Sequence, residues 1–177
     1  MESKKLNIND IIAMRQKLDA TIKDYWSIIK NENTVSKRYI KEYRLHELPV
    51  IHNKILQMIQ QRVIIKGILN NINNSNLKFN TKDFITSHYY DIYMLGETQE
   101  QITKLNEIRK KCINPKTKAQ KGKKNIGKDE VFSYEKISSM IGKLEMDVNK
   151  YKTNIKKFND SQSIEIMDDS INDLLAV

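Results

Sequence analysis

Apolar residues recur along four stretches of this chain at alternating spacings of three and four, as in helices that pack along a narrow seam. The first stretch covers residues 9–29, and its seam positions are Ile8, Ile11, Arg15, Leu18, Ile22, Tyr25 and Ile29. Arg15 is the one misfit. The pattern predicts a helix capped by the Asn9 side chain, with Asp10 near the positive end of the helix dipole.

The second stretch, residues 48–72, predicts a helix that accommodates Pro49 in its first turn. Its seam positions are Ile51, Ile55, Met58, Arg62, Ile65, Leu69 and Ile72. Four more apolar residues widen the stripe, so this helix is expected to be the most buried: Ile59, Val63, Ile64 and Ile68. Gly67 is expected to be a tolerated weak point that costs ~1 kcal/mol relative to Ala if exposed.

Two further helices are predicted at residues 82–111 and 133–159. The third is capped by Thr81 and is ended by Asn114-Pro115; its seam is Ile85, His88, Ile92, Leu95, Gln99, Ile102 and Leu105. The seam of the fourth has no interruption and consists of Ile137, Ile141, Leu144, Val148, Tyr151, Ile155 and Phe158.

These patterns predict an all-α protein, in which four main helices form antiparallel hairpins and an elongated, coiled-coil-like four-helix bundle. Residues 1–159 form one helical domain with a basic loop at 113–130, and residues 160–177 form an acidic tail. The chain has only 5 Gly and 2 Pro. This scarcity disfavours β-sandwiches and barrels, which need frequent turns.

The second half of the chain resembles the septicolysin-like small helical proteins over residues 48–159. The similarity is carried by the segment 72–76 (INNSN), by a helix beginning at Phe84-Ile85, and by the final spacing Ile137, Leu144, Val148, Ile155 and Asn159. The resemblance implies a bundle of long antiparallel helices and supplies no site residues. The chain departs from the family at Asp160, where an aromatic residue is typical, and in its longer basic loop.

The net charge of +9 belongs to one segment. Between residues 109 and 128 there are nine cations and no acid: Arg109, Lys110, Lys111, Lys116, Lys118, Lys121, Lys123, Lys124 and Lys128. Without these nine, the remaining 22 Lys and Arg equal the 22 Asp and Glu. The segment is a candidate contact for phosphates, although it lacks aromatic residues for base stacking. An acidic protein partner, or no specific partner, remains an alternative.

The sequence contains no recognisable catalytic, cofactor or metal site. His46, Glu47 and His52 lack the H-E-x-x-H spacing of a zinc site, and Gly122-Lys123-Lys124 lacks the first glycine of a phosphate loop. His88 and the neighbouring tyrosines are interpreted as packing residues. The single Cys112 excludes an intrachain disulfide. No apolar run approaches the ~18 residues of a membrane span, and a cytoplasmic location is expected.

Narrow apolar stripes bury little core per chain, which favours association with other copies or other proteins. The sequence therefore predicts a non-enzymatic structural or scaffolding subunit of a larger assembly, such as a phage or viral particle, with no small-molecule substrate and no membrane partner. One alternative is a nucleic-acid-binding accessory protein acting through residues 109–128. Another is an adaptor whose tail docks on a partner, with anchors at Ile171, Leu174 and Leu175.

Overall fold

A computed structural model describes residues 7–76, 78–114 and 127–162. Within them the protein is mostly helical, which confirms the coarse prediction, but the prediction missed a small two-stranded sheet. In chain order the elements are α1 (Ile8–Glu32), β1 (Thr34–Ser36), a 3-10 turn (Lys37–Tyr39), α2 (Ile40–Tyr43), α3 (Leu48–Asn73), α4 (Thr81–Ile85), α5 (His88–Arg109), β2 (Lys128–Glu130) and α6 (Tyr134–Asp160).

The four long helices pack as two antiparallel pairs, α1 with α3 and α5 with α6. In the first pair, Arg62 reaches Asp19 and His52 lies against Trp26, so the helices run in opposite directions. In the second pair, His88 stacks on Phe158. The main core joins both pairs and comprises Ile22, Trp26, Ile29, Leu48, Ile51, Ile55, Ile59, Leu105, Ile108, Phe132, Ile137 and Ile141.

The helix α3 has the bounds and burial that its sequence predicts. It begins at Leu48 with Pro49 in the first turn, where the missing proline N–H costs no helical hydrogen bond. Eight of its residues are buried, more than in any other described helix, which confirms the prediction. The bounds of α6 also agree with the prediction, since the Ser133 side chain caps it by accepting from the Lys136 N–H.

The predicted helix at 82–111 is wrong, because the chain forms two helices there. The short α4 ends at Ile85, and the Ser87 side chain caps α5 by accepting from the Tyr90 N–H. The α4 cap is Asn80 rather than Thr81. This new start changes the phase of the buried stripe of α5, which consists of Met94, Glu97, Thr98, Gln101, Leu105 and Ile108. The predicted seam residues Ile85 and Ile92 are exposed.

The seams of α1 and α6 are less buried than their spacing predicts. Helix α1 begins one residue earlier than predicted and is capped by Asn7, whose side chain accepts from the Asn9 N–H. Its predicted seam residue Ile8 is exposed. In α6 only Ile137 and Ile141 are buried, although the sequence seam is unbroken to Phe158. A heptad pattern identifies an apolar face, but not how much of that face the same chain covers.

The two short strands pair antiparallel and correct the predicted loop at 113–130. Thr34 lies opposite Glu130, Val35 opposite Asp129, and Ser36 opposite Lys128. Residues 128–130 therefore belong to a strand. Strands of three residues carry too little alternation to be recognised from sequence.

Gly67 is a packing requirement rather than a tolerated weak point. It is buried in α3 opposite α4, and a Cβ atom built on it would lie 2.5 Å from Cε2 and Cζ of Phe84. Phe84 belongs to a second, smaller core with Val63 and Met94. The absence of a side chain at Gly67 is what allows the α4 phenyl ring to approach the α3 backbone.

We expect Gly67→Ala to lower the free energy of unfolding by about 1–3 kcal/mol, because the Phe84 ring must move. Gly96→Ala is the matched control, since a Cβ at Gly96 on α5 meets nothing within 4 Å. There the gain in helix propensity should raise stability by up to ~1 kcal/mol. Chemical denaturation of both variants tests whether Gly67→Ala lowers the free energy of unfolding while Gly96→Ala raises it. Equal effects of the two substitutions would show that the Gly67–Phe84 contact is not tight.

Candidate functional site

A cluster of charged side chains, in which Arg62 and Glu97 are buried, links three of the long helices. The Arg62 guanidinium on α3 donates to Asp19 on α1 at 3.0 Å and to Glu97 and Glu100 on α5, the latter at 2.9 Å. Lys66 Nζ donates to the other Glu97 oxygen at 2.7 Å. Glu97 is 1% exposed, so both of its oxygens are satisfied by cations inside the protein.

The cluster contains two basic side chains, Arg62 and Lys66, and the three acidic side chains Asp19, Glu97 and Glu100. Burial alone would lower the pKa of Arg62, but the hydrogen bonds to Glu97 and Asp19 and the charge of Glu100 raise it overall. Because Glu97 is committed to Arg62 and Lys66, it is not placed to act as a free general base. The cluster is best interpreted as structural.

Removing the guanidinium should leave the Glu97 carboxylate buried with only Lys66 as a cationic partner. We expect Arg62→Met to lower the free energy of unfolding by about 3–5 kcal/mol. Adding Glu97→Gln should recover part of the loss, because the unpaired charge disappears. Arg15→Met is the control: Arg15 is exposed and lies 3.8 Å from Asp19, and such surface pairs contribute ~0–1 kcal/mol. A loss below ~1 kcal/mol for Arg62→Met would contradict this interpretation.

A second cluster of polar side chains holds the two-stranded sheet, here called the β ribbon, against the segment between β1 and α3. Arg44 donates to the Asp129 carboxylate at 2.5 Å, to the Asp129 carbonyl, and to the carbonyls of Glu32 and Asn33. The Glu32 carboxylate accepts from the backbone N–H groups of Leu45 and His46. These bonds therefore fix the backbone before α2, at Glu32 and Asn33, and after it, at Leu45 and His46.

Asn33 and Cys112 continue this cluster into the protein. Asn33 is 1% exposed; its side chain accepts from the Phe132 N–H at 2.8 Å and donates to the Phe132 carbonyl at 3.0 Å. It also donates to Cys112 Sγ at 3.3 Å. Burial, followed by the nearby charge of Glu130, raises the pKa of the Cys112 thiol to about 11. The thiol is thus suited to packing and not to nucleophilic chemistry.

The raised pKa predicts that the Cys112 thiol reacts slowly with thiol reagents. At pH 7 a pKa of about 11 leaves ~100-fold less thiolate than an ordinary protein thiol has. We expect an aromatic disulfide reagent to modify native Cys112 at least that much more slowly than the chain unfolded in guanidinium. Comparable rates for native and unfolded protein would contradict the burial of Cys112.

The predicted phosphate contacts are only partly within the described residues. Arg109 is half-buried; it donates to Asn106 and Ser138 and lies over the Tyr134 ring. Lys111 Nζ donates to the Lys30 carbonyl, Lys110 is exposed at the end of α5, and Lys128 is exposed in β2. The remaining five predicted contacts lie outside the described residues: Lys116, Lys118, Lys121, Lys123 and Lys124.

The predicted tail anchors Ile171, Leu174 and Leu175 also lie outside the described residues. Within the described part, no group of three or more His, Cys, Asp or Glu side chains is arranged to hold a metal ion. None of the helices in that part has an apolar stretch of membrane-spanning length. His46 is bonded to Glu32 at 2.6 Å, whereas His52 packs between Trp26 and Phe132.

The sequence analysis missed an exposed surface made by the 3-10 turn and α2. We call it the tyrosine–lysine surface and define it by Lys37, Arg38, Tyr39, Lys41, Tyr43 and Lys128, all of which are exposed. The Lys37 N–H donates to the Gly127 carbonyl at 2.7 Å, and Ser36 pairs with Lys128. The sheet therefore brings cations distant in sequence together at one end of the molecule.

A third feature is an apolar groove between α1 and α3. It has a volume of about 650 Å³, and among the described residues its lining comes from these two helices: Met14, Lys17, Leu18, Thr21, Met58, Gln61, Ile64, Ile65 and Ile68. Arg62 and Lys66 of α3 reach α5, so the groove residues Ile64 and Ile68 lie on a different side of α3. Within the described residues, α5 therefore does not cover the groove.

No protein-family model, curated protein or solved structure matches the chain. The resemblance of residues 48–159 to septicolysin-like proteins therefore stays a prediction.

Proposed function

We propose that this protein is a non-enzymatic structural subunit that assembles with further copies of itself through the groove between α1 and α3. The single observation that carries the proposal is the exposure of this groove, which is lined mainly by Met, Leu and Ile side chains. Met14, at its edge, is 49% exposed. Burying one such side chain contributes about 1.5–3 kcal/mol, so a few of them suffice to offset the cost of association.

The spacing of the groove residues favours helical partners. Met14, Leu18 and Thr21 on α1, and Met58, Ile65 and Ile68 on α3, are separated by threes, fours and sevens. Leu18, Met58 and Ile65 belong to the seams predicted from the sequence. Met14, Thr21 and Ile68 extend the same apolar face into the groove. In this proposal the coiled-coil-like bundle predicted from the sequence is completed when α1 and α3 pack against the same helices of a second copy.

The charge distribution supports a second copy as the occupant. Outside residues 109–128 the chain as a whole has 22 basic and 22 acidic residues, and α1 and α3 together have seven basic and four acidic ones. Only a small part of the net charge of +9 therefore opposes contact between two α1–α3 faces. Lys17 and Gln61 provide a polar rim around the apolar centre, as in protein interfaces. The two faces can meet about a two-fold axis, as in most homodimers.

The wider assembly is proposed from composition alone. An abundance of Asn, Lys and Ile fits a protein from an AT-rich genome, and a phage or viral particle is one such setting. Docking through the tail, with Ile171, Leu174 and Leu175 as anchors, stays a prediction.

Light scattering coupled to size-exclusion chromatography tests the proposal. We expect the wild-type chain to have at least twice its monomer mass of 20.8 kDa. Placing carboxylates in the groove by Met14→Glu with Ile64→Glu should give the monomer mass, because charges buried at an interface without partners are costly.

Met146→Glu is the matched control, because Met146 is 72% exposed on α6 and does not line the groove. It should leave the mass unchanged. Circular dichroism establishes whether each variant is folded. A wild-type chain that remains monomeric at every accessible concentration, or an oligomer unaffected by the groove substitutions, would overturn the proposal.

A further inference from the structure

We propose that the tyrosine–lysine surface binds single-stranded nucleic acid, with Tyr39 and Tyr43 stacking on bases and the surrounding cations contacting phosphates. This inference is independent of the assembly proposal. It also places the principal contact on residues 37–43, outside the lysine-rich stretch 109–128, which contributes Lys128.

The two tyrosine rings are available to a ligand. Tyr39 is 48% exposed and Tyr43 is 62% exposed. Their centroids are 6.0 Å apart and their planes are nearly perpendicular at 88°, so the edge of one ring faces the other ring and each ring keeps a face that its neighbour does not cover. Of the thirteen aromatic residues only Tyr39, Tyr43 and Tyr89 are exposed, whereas the others are buried or half-buried. Two solvent-exposed rings on one short helical segment are suited to binding flat apolar groups.

Cations surround these rings. Lys37, Arg38 and Lys41 lie within the same segment, and its only acid is Glu42. Lys128 lies opposite Ser36 in the ribbon, directly beside the backbone of Lys37. Lys110 is exposed at the end of α5, which approaches the ribbon through the Ile113 N–H bond to Glu130. This excess of positive charge favours a polyanion and disfavours a basic or neutral partner.

The backbone beneath the surface is fixed before any ligand arrives. Arg44, the residue after Tyr43, is held by Asp129 and by two carbonyls at the end of α1. The Lys37 N–H bond to Gly127 holds the other end of the segment. The Tyr and Lys side chains therefore project from an anchored turn, which lowers the ordering cost of binding.

The combination of stacking rings and cations favours single strands over duplexes. In a duplex the base faces are already stacked, and only phosphates and groove edges are accessible. In a single strand each base offers a free face, worth about 1–3 kcal/mol on an aromatic side chain. Tyr39 and Tyr43 can contribute this energy only to unpaired bases.

Fluorescence anisotropy with labelled oligo(dT), oligo(U) and a DNA duplex of equal length tests the inference at ~50 mM salt, where phosphate contacts are strong. We expect both single strands to bind more tightly than the duplex. Tyr39→Ala with Tyr43→Ala should weaken single-strand binding about 10-fold or more. Tyr39→Phe with Tyr43→Phe should retain the affinity, because the rings remain. Tyr89→Ala, which removes an exposed tyrosine at the start of α5, should have no effect.

The salt dependence separates stacking from phosphate contacts. Lys37→Gln with Lys41→Gln should reduce the slope of log affinity against log salt by about 1.4, or ~0.7 for each lost phosphate contact on a single strand. The tyrosine variants should keep the wild-type slope. Lys152→Gln with Lys156→Gln, on the exposed face of α6, is the control for total charge.

Several results would overturn the inference. These are no binding at ~50 mM salt, equal affinity for duplex and single strand, or unchanged affinity in the folded Tyr→Ala variant. Equal binding of heparin, which has charges but no bases, would assign the surface to acidic polymers or acidic proteins instead. If the Ala variant does not fold, Tyr39→Leu with Tyr43→Leu keeps apolar bulk without an aromatic face and must still lose the affinity.

Discussion

The arrangement of α1, α3 and α5 depends on the ion pairs and hydrogen bonds that the Arg62 guanidinium makes. This guanidinium lies on α3 and is bonded to Asp19 on α1 and to Glu97 and Glu100 on α5. A guanidinium presents donors in a planar fork, so its partners must lie in fixed directions. Because Glu97 is buried, α5 cannot rotate about its axis without leaving a charge unpaired. The cluster thereby fixes the orientation of α5 relative to α3 more specifically than apolar contacts do.

This orientation determines what the remaining faces can do. With α5 held on one side of α3, the Met, Leu and Ile side chains of the α1–α3 groove lie on another side. At one end of the pairs, Arg44 and Asn33 fasten the β ribbon and present the tyrosine–lysine surface. An apolar face and a cationic end thus arise from the same framework. Assembly and nucleic-acid binding would occupy different parts of the protein, and neither blocks the other.

Local signals explain why α3 and α6 were predictable. Pro49 and Ser133 mark their starts, and long heptad seams set their lengths. The error in α5 has a physical cause, because the Ser87 cap restarts the helix and rotates its buried stripe. Only in the new phase does Glu97 face Arg62. An arginine at a seam position, with no other signal, does not reveal whether it is exposed like Arg15 or buried like Arg62.

The candidate surfaces were harder to predict because they depend on tertiary contacts. The tyrosine–lysine surface forms when residues 34–36 pair with residues 128–130, about ninety positions away. Contiguous cations at 109–128 dominate the charge pattern of the sequence, whereas residues 37–43 are polar without a clear period and give no comparable signal. In the sequence, the groove residues Leu18, Met58 and Ile65 belong to the predicted seams, and Ile64 and Ile68 only widen the α3 stripe. Which side of that stripe stays open was decided by the position of α5.

The most direct measurement of the central claim is the distance between two copies of the groove. A spin label at Gln61→Cys, in a Cys112→Ser chain so that no second thiol reacts, lies at the groove rim. Pulsed dipolar spectroscopy should give one narrow intermolecular distance, because two α1–α3 faces in contact place their labels in a fixed relation. The same label at Lys152→Cys on α6 should give a different distance. The absence of any intermolecular dipolar signal at Gln61 would contradict assembly through this groove.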